Sequence, residues 1–312
     1  MKAVLPALAR PLLEPRLPAD LEVAWFATPA EANAGIADAA VAWVDMQPTS
    51  LVADAIRHAG PALRWVSTIY AGLDAFPLDL LAEREVTITN GVGINAVAVA
   101  EYAVMGVLAA AKRFDRVVEA QGRREWLRDA PGKVELDGTA ALIIGYGTIG
   151  RLVGDRLSAF GVQVTGVTRS GADGTIGPDA WRARLPEFDW IVLGAPSTPE
   201  TKAMVGAAEL AACKPTAWLV NVARGDMVDQ DALLAALGAG QIGGAFLDTV
   251  DPEPLLPGHP LWAAPNCMLT MHLSGRSQTR MFERAAALFI DNLGAFRDGR
   301  PMRNVANPRR GY

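Results

Sequence analysis

The sequence predicts an α/β protein made of two parallel-sheet domains, and three observations carry that expectation. Short apolar runs alternate with helix-like stretches through the first 95 residues, the alternation resumes after residue 138, and a glycine loop, GYGTIG, opens the second series. At 312 residues the chain also exceeds the roughly 250 to 300 at which single cores tend to split.

In the first series LEVAWF, AVAWVDM, LRWVSTI and VTITN read as strands, with TSLVADAIRHA as a helix between the second and third. VAVAEYAVMGVLAAAKRFDRVVEAQGRR then reads as one long helix, apolar first and charged later, crossing between domains. Beyond the linker REWLRDAPGKVELDG come TAALIIG, VQVTGV, DWIVLGA, AWLVNVA, GGAFLD and CMLTMH, six further strand-like runs. The segment RMFERAAALFIDNLGAFRDG repeats Phe282, Ala286, Phe289, Ile290 and Leu293 at helical spacing.

Composition narrows the function classes. A net charge of -5 lacks the concentrated basic surface that phosphate backbones need, so no nucleic-acid partner is expected. The most apolar stretch, about 97 to 111, contains Glu101 and ends in Lys112 and Arg113, short of the roughly 20 residues a membrane span requires. Pro6, Arg10 and Pro11 interrupt any signal-peptide core. Cys213 and Cys267 lie far apart without CxxC spacing, which fits free thiols in a reducing cytoplasm; no metal-ligand pattern is visible. Small-molecule chemistry remains.

GYGTIG follows the strand-like ALII and opens a helix-like sequence, the context that makes a GxGxxG motif informative. Gly145 permits a tight turn, Gly147 lets a pyrophosphate approach the backbone, and Gly150 allows helix to pack on strand. Tyr146, Thr148 and Ile149 complete the loop, whose amides and positive helix end would face phosphates. The second domain is therefore expected to be a Rossmann dinucleotide-binding domain over 97–275. Residues 1–96 form a smaller flavodoxin-like α/β substrate domain, 276–312 are a C-terminal helix and tail returning to it, and the active site lies in the cleft between domains.

The next strand ends in TRSG, where an NAD-specific site carries an acid about 20 residues past the loop. Thr168 stands there instead, followed by Arg169 and Ser170. A guanidinium can grip a 2'-phosphate, and the missing carboxylate removes a repulsion against it, so NADP(H) is expected over NAD(H).

His272 ends the run CMLTMH, at the sheet edge where open α/β folds bind ligands. His58, near a helix end, and His259, in a proline-rich loop, read as surface residues. Arg224, between VNVA and Gly225, and Glu253, between two prolines, stand at neighbouring strand ends. A cation, a carboxylate and an imidazole are what hydride transfer to a 2-keto acid needs. Each alone could be a turn or surface charge; together they form a candidate site.

With these residues in place, the chain resembles the D-isomer-specific 2-hydroxyacid dehydrogenase family, including its glyoxylate and hydroxypyruvate reductases. The resemblance runs through STIYAGLD, AVAEYA, GYGTIG, APSTPETKAMV, NVARGDMVDQDAL and GAFLDTVDPEPL, through HPLW, to MHLSG. It implies Arg224, Glu253 and His272 as the catalytic residues. Arg224 would bind the substrate carboxylate and polarise its carbonyl, and His272, supported by Glu253, would deliver the proton. It also implies that amides of Ala71 and Gly72 hold the carboxylate and that Asp248 faces the nicotinamide carboxamide. Ala195, Pro196, Ser197, Thr201, Val222, Ala223 and Ser274 would line the cofactor site.

Two departures stand out: Met271 replaces the family's usual proline before the histidine, and DTVDPEPL lacks the usual aromatic after DV. Both bear on substrate preference. The family further implies a homodimer, with Trp126 in the place from which some relatives reach into the partner's site. The alternative class is a dinucleotide-sensing corepressor without turnover, and a third reading is oxidation of a small anion such as phosphite.

Overall fold

The computed structural model divides into two compact units, Met1–Asn95 with Gln278–Tyr312, and Ala96–Ser277. Residues 1–276 and 278–308 are described; Ser277 and 309–312, part of the expected C-terminal tail, lie outside the described residues.

The first unit is a parallel sheet of β1 (Lys2–Pro6), β2 (Glu22–Phe26), β3 (Val41–Ala42), β4 (Trp65–Ser67) and β5 (Thr87–Thr89), ordered β5-β4-β3-β1-β2. An antiparallel strand, Val305–Ala306, extends it beyond β5. The strand runs read from the sequence omit β1, because Pro6 and Pro11 disguise it. Pro6 sits at its last position, paired with Phe26, where a missing N–H costs little.

Alternation along the parallel strands supplies a core on each face of the sheet, as parallel strands covered on both sides require. Ala3, Leu5, Val41, Trp43 and Trp65 face one core, with Phe289 and Leu293 of the helix Met281–Arg297. Val4, Ala42, Val66 and Ile88 face the other, with Ile36, Val52, Ile56 and Leu81. Trp65 stacks on Phe289 with centroids 5.1 Å apart, a contact worth about 0.5–1.5 kcal/mol beyond its buried area, which binds the C-terminal helix to this unit.

The second unit is a six-stranded parallel sheet of β6 (Ala140–Ile144), β7 (Gln163–Val167), β8 (Trp190–Leu193), β9 (Trp218–Asn221), β10 (Gly244–Leu247) and β11 (Cys267–Leu269). Its order is β7-β6-β8-β9-β10-β11, so the chain reverses its direction of travel at β6 and opens a crevice beyond that strand's carboxyl end. Leu142, Ile144, Leu193 and Leu219 pack on one face, and Ala141, Ile143, Val192, Val220 and Phe246 on the other.

The single long helix expected after residue 96 is two helices, Ala96–Lys112 and Phe114–Gly122. Arg113 breaks it with a left-handed backbone, φ 50°, held because its guanidinium bonds Asp115 at 2.9 and 3.1 Å and Asn266 at 2.8 Å. Apolar periodicity continues across such a break, so the pattern alone did not mark it. No helix among the described residues is long and apolar enough to cross a membrane. Both cysteines are free, and burial pushes Cys213 up to about 11 and Cys267 up to about 12, which keeps them as unreactive thiols.

Candidate active site

The glycine loop leaves β6 at the point where strand order reverses. Gly145 has φ 97°, and a Cβ there would overlap the backbone of Ala195 in the loop after β8, so the residue serves both turn and close approach. The amides of Gly145 and Tyr146 donate to the Val167 carbonyl at 3.1 and 2.9 Å and lock the loop to β7. A Cβ at Gly150 would overlap the Gly145 carbonyl. At exposed Gly147, by contrast, a Cβ would meet nothing within 4 Å.

Gly147 caps the helix Thr148–Ala159 with no side-chain hydrogen bond to its first turn. An uncapped helix start with open space before it is what a pyrophosphate fills, so these residues fit a nicotinamide dinucleotide. Tyr146 turns its ring inward onto Gly154 and Gly166, beneath the Arg151 guanidinium 5.4 Å away, and Ile149 packs with the same core. Past β7, Thr168 Oγ1 pairs with Thr175 Oγ1 at 2.7 Å and accepts the Gly171 amide at 3.1 Å. That turn leaves Arg169 and Ser170 exposed at its tip.

Ala195, Pro196, Ser197 and Thr201 form the loop after β8. Thr201 Oγ1 closes it, accepting the Thr198 amide and donating to the Pro196 carbonyl, both at 2.8 Å. Ser197 Oγ donates to Asp226 at 2.7 Å and ties this loop to the turn after β9.

That turn carries Arg224. Buried Asn221 shapes it: its Oδ1 accepts the Ala223 amide at 3.0 Å and its Nδ2 donates to the Arg224 carbonyl at 2.8 Å, while Val222 and Ala223 are buried. A Cβ on Gly225 would overlap the Val250 backbone, so glycine lets the Arg224 turn press against the segment leading to Glu253. Asn221 was not singled out from the sequence, whereas Gly225 was named there only as the residue that follows Arg224. A polar residue closing the apolar run WLV was the signal available for the first.

Glu253 and His272 meet directly. His272 Nδ1 lies 2.7 Å from Glu253 Oε2, and the Val250 amide donates to Oε1 at 3.1 Å. Burial would raise the Glu253 carboxyl, but the hydrogen bond and charge of His272, the Val250 amide and the Arg224 charge together leave it below its ordinary 4.5. The three residues from β9, β10 and β11 thus share one electrostatic neighbourhood. The pair is partly open to solvent, with side-chain exposures of 44% and 34%, so it orients the imidazole more than it stabilises the fold.

Asp248 is 1% exposed, and its carboxylate is committed to the histidine loop. Oδ1 accepts Thr270 Oγ1 at 2.8 Å, the Leu273 amide at 2.9 Å and the Ser274 amide at 3.3 Å; Oδ2 lies 3.2 Å from the Ser274 amide. Its carbonyl accepts the His272 amide. Asp248 and buried Ser274 therefore hold the loop that presents the imidazole. Met271 and His272 both have left-handed backbones, φ 53° and 55°, and the Leu273 amide donates to the Thr270 carbonyl at 3.2 Å. This is a type I' turn without glycine, at a cost of roughly 1–2 kcal/mol per residue. A proline, fixed near φ −65°, does not fit position 271 in this turn.

Ala71 and Gly72 lie in the other unit, in the loop after β4, where Asn90 Nδ2 holds the Ala71 carbonyl at 3.0 Å. His259 Nδ1 accepts the Leu261 amide as a helix cap at 3.2 Å, and His58 is exposed at a helix end.

Comparison with known proteins places these features in context. The model of the D-isomer specific 2-hydroxyacid dehydrogenase NAD binding domain matches residues 104–274. A glyoxylate reductase from Aeropyrum pernix is 35% identical over 260 residues, covering 79% of this chain and 77% of its own. A D-isomer specific 2-hydroxyacid dehydrogenase family protein from Aeromonas salmonicida superposes with a TM-score of 0.87 at 29% identity over 98% of both chains. An NADPH-dependent glyoxylate/hydroxypyruvate reductase from Sinorhizobium meliloti, in complex with NADP and malonate, does so with 0.78 at 26% identity, covering 99% and 98%.

Proposed function

Because this chain belongs to the D-isomer specific 2-hydroxyacid dehydrogenase family, we propose that it reduces a small 2-keto acid of the glyoxylate or hydroxypyruvate type to the D-2-hydroxy acid, using NADPH. The observation that carries this reading is the His272–Glu253 bond at 2.7 Å with the Arg224 charge felt at the same carboxylate. A nicotinamide dinucleotide held at the glycine loop would supply the hydride. Arg224 binds the substrate carboxylate and polarises the C2 carbonyl, with the amides of Ala71 and Gly72 as further donors. His272, its Nδ1 held by Glu253, presents Nε2 to the carbonyl oxygen and gives up the proton as charge develops there. Glu253 stabilises the imidazolium that does so.

The test is a panel of glyoxylate, hydroxypyruvate and phenylpyruvate with NADPH and NADH, followed by loss of absorbance at about 340 nm. Turnover of at least one keto acid is expected, and cofactor binding without turnover across the panel would remove the proposal.

The NADPH preference rests on exposed Arg169 and Ser170, with Thr168 where an acid would repel a 2'-phosphate. Arg169→Ala is expected to cut the ratio of kcat/KM for NADPH over NADH by about tenfold, the value of one charge-assisted contact. An unchanged ratio would assign discrimination elsewhere.

A homodimer is proposed from the apolar side chains that Met105, Phe114, Val118, Trp126 and Leu127 leave exposed on one segment. Trp126, 93% exposed, is the residue expected to reach the partner's site. Light scattering should give twice the 33.0 kDa of one chain; a monomer mass would rule this out. The half-buried free thiols fit a cytoplasmic setting.

A further inference from the structure

In the first unit the carboxyl ends of β3, β4 and β5 converge on one short segment, residues 68–71. From the β3 side, Asp45 Oδ1 accepts Thr68 Oγ1 at 2.6 Å, and Oδ2 accepts the Ile69 amide at 2.7 Å and Trp43 Nε1 at 2.8 Å. Thr68 Oγ1 in turn accepts the Tyr70 amide at 3.0 Å. From the β5 side, the Thr68 amide donates to the Thr89 carbonyl, the Gly91 amide to the Tyr70 carbonyl at 2.8 Å, and Asn90 Nδ2 to the Ala71 carbonyl. Trp43 is itself fixed in the core, 5.6 Å from the Phe289 ring. Asp45 therefore links the rigid core to this loop from the β3 side.

We propose that Asp45 is a positioning residue for keto-acid binding: it sets Thr68, Ile69 and Tyr70 so that the amides of Ala71 and Gly72 are aimed at the substrate carboxylate. This rests on the reading of Ala71 and Gly72 given above. A carboxylate suits the task because it offers acceptors to three donors at once from a fixed point, and misplacing a substrate-orienting loop by about 1 Å can cost up to roughly 100-fold.

Burial pushes the Asp45 carboxyl up to about 6, against the lowering pull of Thr68, the Ile69 amide and Trp43. The residues facing it are these three, with Gln47 Nε2 donating to the Tyr70 phenol beside them at 2.8 Å. The sign is distinctive. A carboxyl raised in the folded state gives stability that is fully present below its ordinary 3.8 and is lost as pH rises through about 6. The three-donor tether, in contrast, is complete only above about 6. Stability and substrate binding should therefore move in opposite directions across this window.

The experiment measures glyoxylate KM and kcat between about pH 5 and 8 for the wild type, Asp45→Ala and Asp45→Asn, together with hydrogen exchange of the 68–72 amides without substrate. Asp45→Ala should raise keto-acid KM by about tenfold or more, leave NADPH KM and saturating kcat within about threefold, and speed exchange across 68–72. Asp45→Asn, which like the protonated acid offers one acceptor oxygen and a donor toward Thr68, should hold keto-acid KM flat across this range at the raised level the wild type reaches below about 6.

Unchanged exchange with unchanged KM would overturn the tether itself. Faster exchange with unchanged KM would overturn the assignment of Ala71 and Gly72, and the proposal with it. If Asp45→Ala does not fold, the Asp45→Asn profile decides: a flat, raised KM supports the role, and a rise like the wild type's rejects it.

Discussion

Replacing His272 by alanine is expected to lower kcat by roughly 100- to 10,000-fold, the value of general acid catalysis, or about 3 to 5 kcal/mol in the barrier. The variant should keep its fold, because the imidazole is 44% exposed and its bond to Glu253 lies at the surface of the second unit. Affinity for the nicotinamide dinucleotide should also hold, since the helix start after Gly147 is built without this side chain. Single-turnover rates with a saturating keto acid separate this from a binding defect; a chemical step as fast as the wild type's would end the role assigned to His272. Glu253 is not the source of an acid limb near neutral pH. Held below 4.5, its ionised contribution is present above that value and is lost only as pH falls through its lower folded pKa.

Gly225→Ala should have the second large effect, for a steric reason. Its Cβ would coincide with backbone atoms of Val250 and Asp251, and backbone cannot yield as a flexible side-chain end can. Overpacking of this kind costs about 1–3 kcal/mol, which for a unit of this size lowers Tm by several degrees. Relief requires the Arg224 turn and the Glu253 segment to move apart. A shift of about 1 Å between catalytic groups can cost up to roughly 100-fold, so kcat/KM should fall by more than the lost stability accounts for. Melting curves and kinetics at a temperature where the variant is fully folded distinguish the two effects. Wild-type kcat/KM there would show that this contact does not set the site.

Much of the fold was legible in local pattern. Ten of the strands described in the two sheets lie within apolar runs read from the sequence, since burial on both sheet faces leaves continuous hydrophobic stretches. β1 escaped because its terminal Pro6, with Pro11 soon after it, looks like a breaker, and the break at Arg113 escaped because hydrophobic periodicity continues through it. The glycine loop was legible for a stronger reason. Turn, phosphate approach and helix packing are all demands on side-chain absence, and absence is written in the sequence.

The sequence by itself determined the chemistry on offer: a dinucleotide loop, an arginine, a glutamate and a histidine at successive strand ends, and no acid at Thr168. Tertiary structure alone decided how these groups are held. Asp248 turns inward to the histidine loop, Met271 and His272 adopt a left-handed turn, Gly225 seats the Arg224 turn against the segment leading to Glu253, and Asp45 fixes a loop after a neighbouring strand. The physical reason is range. Motif chemistry is encoded within a few residues, whereas these hydrogen bonds and contacts join positions about 20 or more apart, whose pairing exists only once the sheets bring the strand ends side by side.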